Sequence, residues 1–221
     1  MKQWRGLWFP DTETHLIEWM QQNQVIVGGR PAYQYAKYER ALGLLPANRR
    51  RVAIDVGANV GLWSRVMCLD FAEVIAFEPV TDYAECLKLN APESQWWNVA
   101  LGEDFGAAKL ENTTKGSCGD TRITGYTHVK GSPGLTPVAP LDSFNFQNVD
   151  LLKIDCEGFE EYVVRGAVET IRRCRPVVIV EQKPGHASKA YGLDDQGARK
   201  LLESLGMRVH AEMSGDFIMG R

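Results

Sequence analysis

The chain has 221 residues, 44% of them hydrophobic and 24% charged, a composition typical of one large globular domain rather than of two. Its formal net charge of −3 gives no electrostatic reason to expect a nucleic acid or an anionic membrane as partner. No apolar run approaches the roughly 20 residues of a membrane span, and the N-terminus lacks the apolar core of a signal peptide, so we expect a cytoplasmic protein.

Two helices are predicted before the first core strand. Residues 11–22 begin with capping residues and acidic side chains, and residues 32–45 carry apolar side chains at spacings of three and four before Pro46 stops the helix. The Gly-Gly-Arg-Pro stretch at 28–31 separates the two helices. We therefore assign residues 1–50 to an N-terminal helical extension or cap.

From residue 51 onward, apolar strands alternate with helices. Near-continuous apolar strands are typical of a parallel sheet that is covered on both faces. Only Ser214 and Gly215 join the last two strands, and so short a connection can link only antiparallel neighbours. Residues 51–221 are therefore predicted to form an α/β domain with a seven-stranded, mostly parallel sheet, a C-terminal antiparallel hairpin and helices on both faces. The first predicted strand begins at Val52, the others cover residues 74–78, 95–101, 150–155, 177–181, 207–213 and 216–219, and the helices cover residues 62–70, 83–89, 160–172 and 194–205.

Residues 102–140 interrupt this alternation and are rich in Gly, Thr, Ser and Pro. Short β segments are expected at 109–110 and 122–124, and glycines and a proline crowd residues 131–134. Long insertions in compact domains are usually binding elements or disordered segments. We interpret this insertion as a substrate cap, with a passive insertion as the alternative.

The first core strand ends in a glycine-containing turn. Residues 52–61 run from apolar side chains through Asp55 to Gly57 and Gly61, and such a turn lets a ligand contact exposed backbone N–H groups, with Asp55 at the mouth of the site. The Gly-x-Gly-x-x-Gly pattern of dinucleotide sites is absent, because Asn59 occupies the middle position. A nucleotide phosphate loop is also excluded, because no lysine follows Gly61.

Glu78 ends the second predicted strand, 17 residues after Gly61, where a carboxylate can accept both hydroxyls of a ribose. Pro79 follows directly and keeps the strand tip out of sheet pairing. A surface acid that merely ends a strand is the alternative for Glu78 alone. Together with the glycine turn, it indicates a ligand with a ribose and no phosphate. S-adenosylmethionine fits, and its positive centres suit a site edged by Asp55 and Asp155.

Five sequence blocks, in this order and spacing, resemble the FkbM family of class I S-adenosylmethionine-dependent methyltransferases. They are residues 55–61, 77–79, 98–102, 141–142 and 153–160. The similarity covers roughly residues 38–182, with Cys156 where the family usually has valine. It implies a Rossmann-like class I methyltransferase fold and S-adenosylhomocysteine as the cofactor product.

The resemblance also implies roles for individual residues. The backbone of residues 55–61 is expected to hold the methionine part of the cofactor, Glu78 the ribose, and residues 99–101 the adenine edge. Asn98 is expected to contact the adenine, with capping of the strand end as the alternative, and Tyr38 to close over the methionine, with ordinary helix packing as the alternative. The expected cofactor site comprises Tyr38, Asp55, Gly57, Ala58, Asn59, Gly61, Glu78, Pro79, Asn98, Val99, Ala100 and Asp155.

The block at 153–160 carries the candidate catalytic groups. Lys153 and Asp155 share one face of a strand, and a buried lysine there requires an ionic partner. Methyl transfer to a hydroxyl needs an aligned acceptor and removal of its proton. Asp155 and Glu157 at the end of one strand, and Glu181 at the end of the next, are candidate bases, as is His186 in a predicted loop. Glu160 and Glu161 are expected to start a helix. The candidate catalytic residues are Asp155, Glu157, Glu181 and Lys153.

No metal site is expected from the sequence. The five cysteines include no Cys-x-x-Cys pair and the four histidines are far apart, which disfavours structural zinc and indicates reduced thiols. Asp155, Glu157 and Glu181 offer the oxygen ligands that Mg²⁺ prefers, so a divalent cation is the alternative.

The resemblance implies O-methylation of a hydroxyl on a sugar, a polyketide or another small metabolite. Methylation of nucleic acid or protein is the first alternative. It is disfavoured for a nucleic-acid base because residues 155–158 lack the Asn/Asp-Pro-Pro-aromatic element. A catalytically silent S-adenosylmethionine-binding module is the second alternative.

Overall fold

The computed structural model describes residues 1–127 and 135–221, so the predicted turn at 131–134 lies outside the described residues. Short elements precede the central sheet: β1 (Lys2–Trp4), β2 (Leu7–Phe9), α1 (His15–Asn23), β3 (Ile26–Val27), β4 (Arg30–Pro31) and α2 (Tyr35–Leu42). Both predicted helices are present but shorter than expected. The extension is not purely helical, because β1 pairs with β2 and β3 with β4 as antiparallel hairpins. Strands of two or three residues show no periodicity that a sequence pattern can reveal.

The remaining elements begin with β5 (Val52–Val56), α3 (Leu62–Met67), β6 (Glu73–Phe77), α4 (Thr81–Asn90), β7 (Gln95–Trp97), β8 (Ala100–Leu101), β9 (Gly106–Asn112), β10 (Thr121–Thr127) and β11 (Thr136–Ala139). They continue with β12 (Val149–Ile154), α5 (Glu160–Arg165), α6 (Val168–Cys174), β13 (Val177–Glu181), α7 (His186–Tyr191), α8 (Gly197–Ser204), β14 (Arg208–Met213) and β15 (Asp216–Gly220). Short 3₁₀ helices cover Cys118–Asp120 and Leu141–Phe144.

The central sheet has seven strands in the order β14-β15-β13-β12-β5-β6-β7. The strands from β13 to β7 run parallel to their neighbours, whereas β15 is antiparallel to both β13 and β14. The predicted mostly parallel sheet with a C-terminal antiparallel hairpin is therefore confirmed. In register, Lys153 of β12 lies opposite Asp55 of β5, which brings two candidate site residues together beneath the carboxyl ends of the strands.

Apolar side chains pack on both faces of this sheet because successive residues of a strand point to opposite sides. Ile54 packs with residues of α5, α6 and α8 in one cluster, while its neighbour Ala53 packs with residues of α2 and α3 in another. This arrangement confirms the prediction of helices on both faces. In the described part of the chain, no helix combines the length and the apolar composition needed to cross a bilayer.

The predicted strand at 95–101 is wrong as a single element. Its first half is the edge strand β7, while β8 pairs with β11 in a second sheet of order β10-β9-β11-β8. The chain bends between them at Asn98, whose amide donates to the carbonyls of Glu78 (2.9 Å) and Pro79 (3.0 Å). The β segments expected at 109–110 and 122–124 lie within β9 and β10, an antiparallel pair.

The predicted helix at 160–172 is divided into α5 and α6. The backbone N–H of Asp142 donates to the Gly166 carbonyl (2.9 Å) between the two helices. The Asp142 carboxylate accepts the N–H groups of Glu169 (2.9 Å) and Thr170 (2.7 Å) in the first turn of α6. A carboxylate from a distant part of the chain therefore caps the second helix.

Removing this cap gives a first testable prediction. We expect Asp142→Ala to lower the free energy of unfolding by about 1 kcal/mol, because two N–H groups at the start of α6 lose their acceptor. Urea unfolding measures the change. The matched control is Asp104→Ala at an exposed position, where we expect a change within about 0.5 kcal/mol. Equal losses in the two variants would contradict the capping role.

Candidate active site

Two adjoining cavities open at the carboxyl ends of β5, β6 and β12. Their volumes, which include the space at their openings to solvent, are about 590 and 570 Å³. Both are lined by Gly57, Asn59, Gly119, Asp155 and Glu157, so these residues form the boundary between them. Two ligands bound side by side would meet at this boundary.

The first cavity extends from the boundary towards β6 and β8. Its polar end is Glu78, and apolar side chains from the sheet, the insertion and the segment after β12 form much of its wall. Predicted cofactor residues account for much of this lining: Gly57, Asn59, Glu78, Pro79, Val99, Ala100 and Asp155.

The second cavity extends from the boundary towards β13 and the N-terminal segment. Five predicted residues join Gly57 and Asn59 in its lining: Ala58, Lys153, Asp155, Glu157 and Glu181. The sequence reasoning missed Tyr33, Gln34, Trp63 and Lys183, which also line this cavity. Tyr33 and Gln34 lie just after a Gly-Gly-Arg-Pro turn, and no motif marks them.

The glycine turn differs from its predicted role as a ligand cradle. The N–H groups of Gly57 and Ala58 both donate to the Phe77 carbonyl (3.0 Å each), and that of Gly61 donates to the Ala58 carbonyl (2.9 Å). Those of Asn59 and Val60 donate to side-chain oxygens of Glu78 and Asn59. All five N–H groups therefore have partners within the protein. The turn shapes the cavities rather than presenting free donors.

Glu78 is buried, with 5% of its surface exposed, and is held by the backbone on both sides. One carboxylate oxygen accepts the N–H of Asn59 (2.7 Å) and the other accepts the N–H of Val80 (2.8 Å). Burial raises the pKa of Glu78 to about 7, against the lowering effect of these two hydrogen bonds. Each oxygen keeps a further lone pair that can accept a ligand hydroxyl in the first cavity.

The pKa of Glu78 predicts a pH-dependent stability of definite sign. Its folded-state pKa of about 7 lies above the ordinary value of 4.5, so between these values the folded chain holds a proton that the unfolded chain has lost. The stability that this group contributes is present at low pH and falls by up to about 3 kcal/mol as the pH rises through 7. Urea unfolding from pH 4.5 to 8 should show a flatter decline in Glu78→Gln than in the wild type. The exposed control Glu93→Gln should retain the wild-type slope, and equal slopes in all three proteins would contradict the assignment.

Asp55 does not lie at the mouth of the site, contrary to expectation. It is fully buried and lines neither cavity, because it points beneath the turn. One oxygen accepts the hydroxyl of Ser64 (2.6 Å) and the other lies 3.2 Å from the Lys153 ammonium, which is 3.7 Å from Asp155. Burial lowers the pKa of Lys153, but the charges of Asp55 and Asp155 outweigh it and hold that pKa above its usual range. Lys153 thus has the ionic partners that the sequence required.

Three other predicted cofactor residues lie outside both cavities. Tyr38 packs in the core, where its hydroxyl donates to Asp70 (2.8 Å). The Asn98 amide is used on backbone carbonyls, as described above. Gly61 starts α3 with φ +82°, and a Cβ there would lie 3.0 Å from Leu87. Each residue shapes the surrounding scaffold, and cofactor contact by these three residues stays a prediction.

A cluster of three titratable side chains borders the second cavity. The His186 imidazole Nδ1 lies 3.3 Å from a Glu157 oxygen and 3.8 Å from a Glu181 oxygen. The other Glu181 oxygen pairs with Lys183 at 2.5 Å. Burial, aided by the charge of Asp155, raises the pKa of Glu157 to about 8 and that of Glu181 to about 9.

Local structure explains how these groups converge. Glu157, three residues after β12, has a left-handed backbone (φ +54°), and Glu160 accepts the N–H groups of Cys156 (2.9 Å) and Gly158 (3.0 Å) at the start of α5. Glu160 therefore starts a helix, as expected. The sequence predicts a loop at His186, but this residue is the first of α7, a helix of six residues that directs the imidazole to the strand ends.

Comparisons with known proteins identify a matching family and structures of similar fold. Residues 55–209 match the family described as the methyltransferase FkbM domain. No curated protein matches the chain significantly. Methyltransferase FkbM from Methylobacillus flagellatus KT has a similar fold, with a TM-score of 0.52, 17% identity and 80% of this chain covered. The chain spans only 44% of the length of that structure.

Other solved structures align over more of both chains. A TehB-like SAM-dependent methyltransferase from Corynebacterium glutamicum has 11% identity and a TM-score of 0.48, covering 93% of this chain and 96% of its own. An O-methyltransferase from Bacillus cereus in complex with SAH has 11% identity and a TM-score of 0.48, covering 93% and 87%. Because the family match extends over well more than half of the sequence, this chain belongs to the FkbM family of methyltransferases.

Proposed function

We propose that the chain uses S-adenosylmethionine to methylate a hydroxyl group of a sugar, a polyketide or another small metabolite. The observation that carries this proposal is the pair of adjoining cavities that meet at Asp155 and Glu157. One cavity suits a nucleoside and the other an acceptor. Their shared boundary is then the place where a methyl group passes from one ligand to the other.

The lining of the first cavity fits the adenosine part of S-adenosylmethionine. Glu78 has lone pairs left for the ribose hydroxyls, and Val99, Ala100 and Leu101 offer an apolar wall for a planar base. Asp155, on the boundary, offers a negative charge to the sulfonium centre. When bound, S-adenosylmethionine supplies a methyl group that is activated for displacement.

The second cavity supplies what the acceptor needs. Transfer to an oxygen requires that the hydroxyl be held in line with the methyl group and that its proton be removed. Three carboxylates lie at this end: Asp155 and Glu157 on the boundary, and Glu181 on the wall. We assign proton removal to this carboxylate group, and we assign Lys153 the role of holding Asp155 in place.

Two segments outside the central sheet complete the cavities, which supports their proposed role as caps. Tyr33 and Gln34 of the N-terminal extension line the second cavity, and Leu110, Cys118 and Ile123 of the insertion line the first. We therefore propose that residues 1–50 and 102–140 cover the cofactor and select the acceptor.

Calorimetry with S-adenosylmethionine tests the cofactor assignment. We expect the wild type to bind it and Glu78→Ala to bind at least about tenfold more weakly, because hydrogen bonds to a charged group contribute about 1.5–3 kcal/mol. Glu93→Ala, at an exposed position, is the control and should bind as the wild type does. Binding of NAD without binding of S-adenosylmethionine would overturn the proposal.

Formation of S-adenosylhomocysteine tests whether the chain is an enzyme or a silent binding module. Panels of sugars, polyketides and other hydroxylated metabolites provide the acceptors. Product that depends on an acceptor and is lost in Asp155→Asn, but not in Glu93→Ala, supports the enzyme. Cofactor binding with no turnover on any panel favours the silent module.

A further inference from the structure

Three side-chain atoms converge beside the second cavity and lack hydrogen-bond partners. They are Oε2 of Glu157, Oε2 of Glu181 and Nδ1 of His186. One possible ligand atom from each of the three residues lies within 4.8 Å of the others. Among the residues that the structure describes, none of these buried atoms has a hydrogen-bond partner. Native proteins rarely leave buried polar atoms unpaired, so this convergence points to a ligand.

Glu181 makes the strongest case. Its side chain is 4% exposed, and its Oε1 atom is already paired with the Lys183 ammonium at 2.5 Å. The Oε2 atom is left facing His186 at 3.8 Å. An unpaired buried acceptor costs about 1–3 kcal/mol, and more when it is charged. The Lys183 contact explains one oxygen only, so the other requires a partner of its own.

The two cations that flank the cluster do not fill it. Lys183 pairs with Oε1 of Glu181 and not with Oε2, and the nearest Arg122 nitrogen lies 3.8 Å from Oε2 of Glu157, beyond hydrogen-bond distance. These positive charges instead offset part of the negative charge of Asp155, Glu157 and Glu181. Neither cation gives any of the three converging atoms a hydrogen-bond partner.

The spacing of these atoms matches a coordination sphere. Ligand atoms about 2.1 Å from one tetrahedral metal ion are roughly 3.4 Å apart. The imidazole nitrogen lies 3.3 Å from the Glu157 oxygen and 3.8 Å from the Glu181 oxygen. Two carboxylate oxygens and one imidazole nitrogen form a donor set suited to first-row divalent metals, whereas Mg²⁺ prefers oxygen ligands alone.

We propose that Glu157, Glu181 and His186 bind one divalent first-row metal ion, with Zn²⁺ and Mn²⁺ as the fitting examples. His186 replaces Asp155 in the ligand set that the sequence alone suggests for a cation. The histidines are scattered in the sequence, which disfavours a metal site. In the fold, α7 follows β13, and this brings His186 next to Glu181 at the end of that strand.

Such an ion would lie in the wall of the second cavity, where Glu157 and Glu181 are lining residues. An acceptor hydroxyl could complete its coordination, which would lower the pKa of that hydroxyl, and Asp155, the lining carboxylate outside the ligand set, would accept its proton. Glu157 and Glu181 then act as ligands while the ion facilitates proton loss. This consequence rests on the proposed function, whereas metal binding itself does not.

Titration of the chelator-treated, metal-free protein with Mn²⁺ tests the site, with free Mn²⁺ followed by electron paramagnetic resonance and no S-adenosylmethionine present. We expect the wild type to bind one equivalent and Zn²⁺ to displace it. Both Glu181→Gln and His186→Asn remove a ligand, and we expect each to weaken Mn²⁺ binding by at least about 10–100-fold. That range is the usual cost of losing an outer-shell partner of a metal site. The matched controls are Glu203→Gln and His210→Asn at exposed positions, which should bind as the wild type does.

The proposal is overturned if the metal-free wild type binds neither Mn²⁺ nor Zn²⁺, a result that does not depend on any variant. It is also overturned if both ligand variants melt as the wild type does and bind Mn²⁺ equally well. Anomalous scattering from a Mn²⁺-soaked crystal should give a peak between the three side chains, and a peak elsewhere only would contradict the assignment. Calorimetry with S-adenosylmethionine on the metal-free protein separates the two proposals, because each binding event can fail without the other.

Discussion

Replacing Lys153 by methionine is expected to lower the free energy of unfolding by about 3–5 kcal/mol. The ammonium is 4% exposed and lies between Asp55, which is fully buried, and Asp155 on the cavity boundary. Methionine keeps most of the side-chain volume but leaves the Asp55 carboxylate buried without its ionic partner. The cost therefore reflects an uncompensated buried charge rather than lost packing.

Urea unfolding at neutral pH measures this loss, and Lys109→Met provides the matched control. Lys109 also pairs with a carboxylate, Glu111 at 2.5 Å, but 62% of its side chain is exposed. Exposed pairs contribute about 0–1 kcal/mol. Adding Asp55→Asn to Lys153→Met should recover part of the lost stability, because the unpaired charge is then removed. A loss below about 1 kcal/mol in Lys153→Met would contradict the buried-pair interpretation.

The same contacts support the proposed positioning role of Lys153. Lys153 lies opposite Asp55 of β5 and two residues before Asp155, and its ammonium pairs with both carboxylates. The ammonium also donates to the Gly57 carbonyl (3.4 Å), so it is poorly placed to exchange a proton with an acceptor. We therefore expect Lys153→Arg to retain more turnover than Lys153→Met, with the difference seen in product formation at saturating S-adenosylmethionine.

The central sheet could be predicted because each of its signals is local. The strand predicted at 177–181 coincides with β13, since a β-branched run between a proline and a polar segment has only one reasonable boundary. The two-residue link at Ser214 and Gly215 fixes the antiparallel direction of β15. The division of the helix at 160–172 could not be predicted, because its cause is Asp142, a residue far away in the sequence.

The site could be predicted where function follows from position at a strand end. Glu78, Asp155, Glu157 and Glu181 each end or follow a parallel strand, and each lines a cavity. Asp55 is the exception: although it lies near the end of β5, its side chain points to the face where Lys153 requires a partner.

Residues placed by tertiary contacts could not be predicted in the same way. The sequence predicts Tyr38 as a cofactor contact and gives no sign that its ring packs in the core and that its hydroxyl donates to Asp70. Nothing in the sequence around His186 indicates that it contacts Glu157. It reaches Glu157 because α7, which begins at His186, follows β13 and faces the segment after β12. Gly158 makes this approach possible, since a Cβ there would lie 2.7 Å from the His186 backbone.

Replacing Gly57 by alanine is expected to reduce methyl transfer by about 100-fold, because the strand ends must move by roughly 1 Å. The backbone of Gly57 has φ +72°, and a Cβ there would lie 1.9 Å from the carbonyl oxygen of Asp155. That oxygen is part of the backbone and cannot rotate away. The left-handed conformation adds strain of about 1–2 kcal/mol for any residue with a side chain. The turn therefore requires glycine for its close contact with β12.

Formation of S-adenosylhomocysteine at saturating acceptor measures the effect, and Gly119→Ala is the matched control. Gly119 also lines both cavities, but a Cβ there would meet nothing closer than the Ser117 hydroxyl at 3.5 Å. We expect that variant to keep activity within a few-fold of the wild type, since a 3.5 Å contact is ordinary packing. If both variants lose activity equally, the added alanine side chains reduce activity by filling the cavities. If Gly57→Ala alone is impaired, the registry of β5 against β12 sets the position of Asp155 relative to the transferred methyl group.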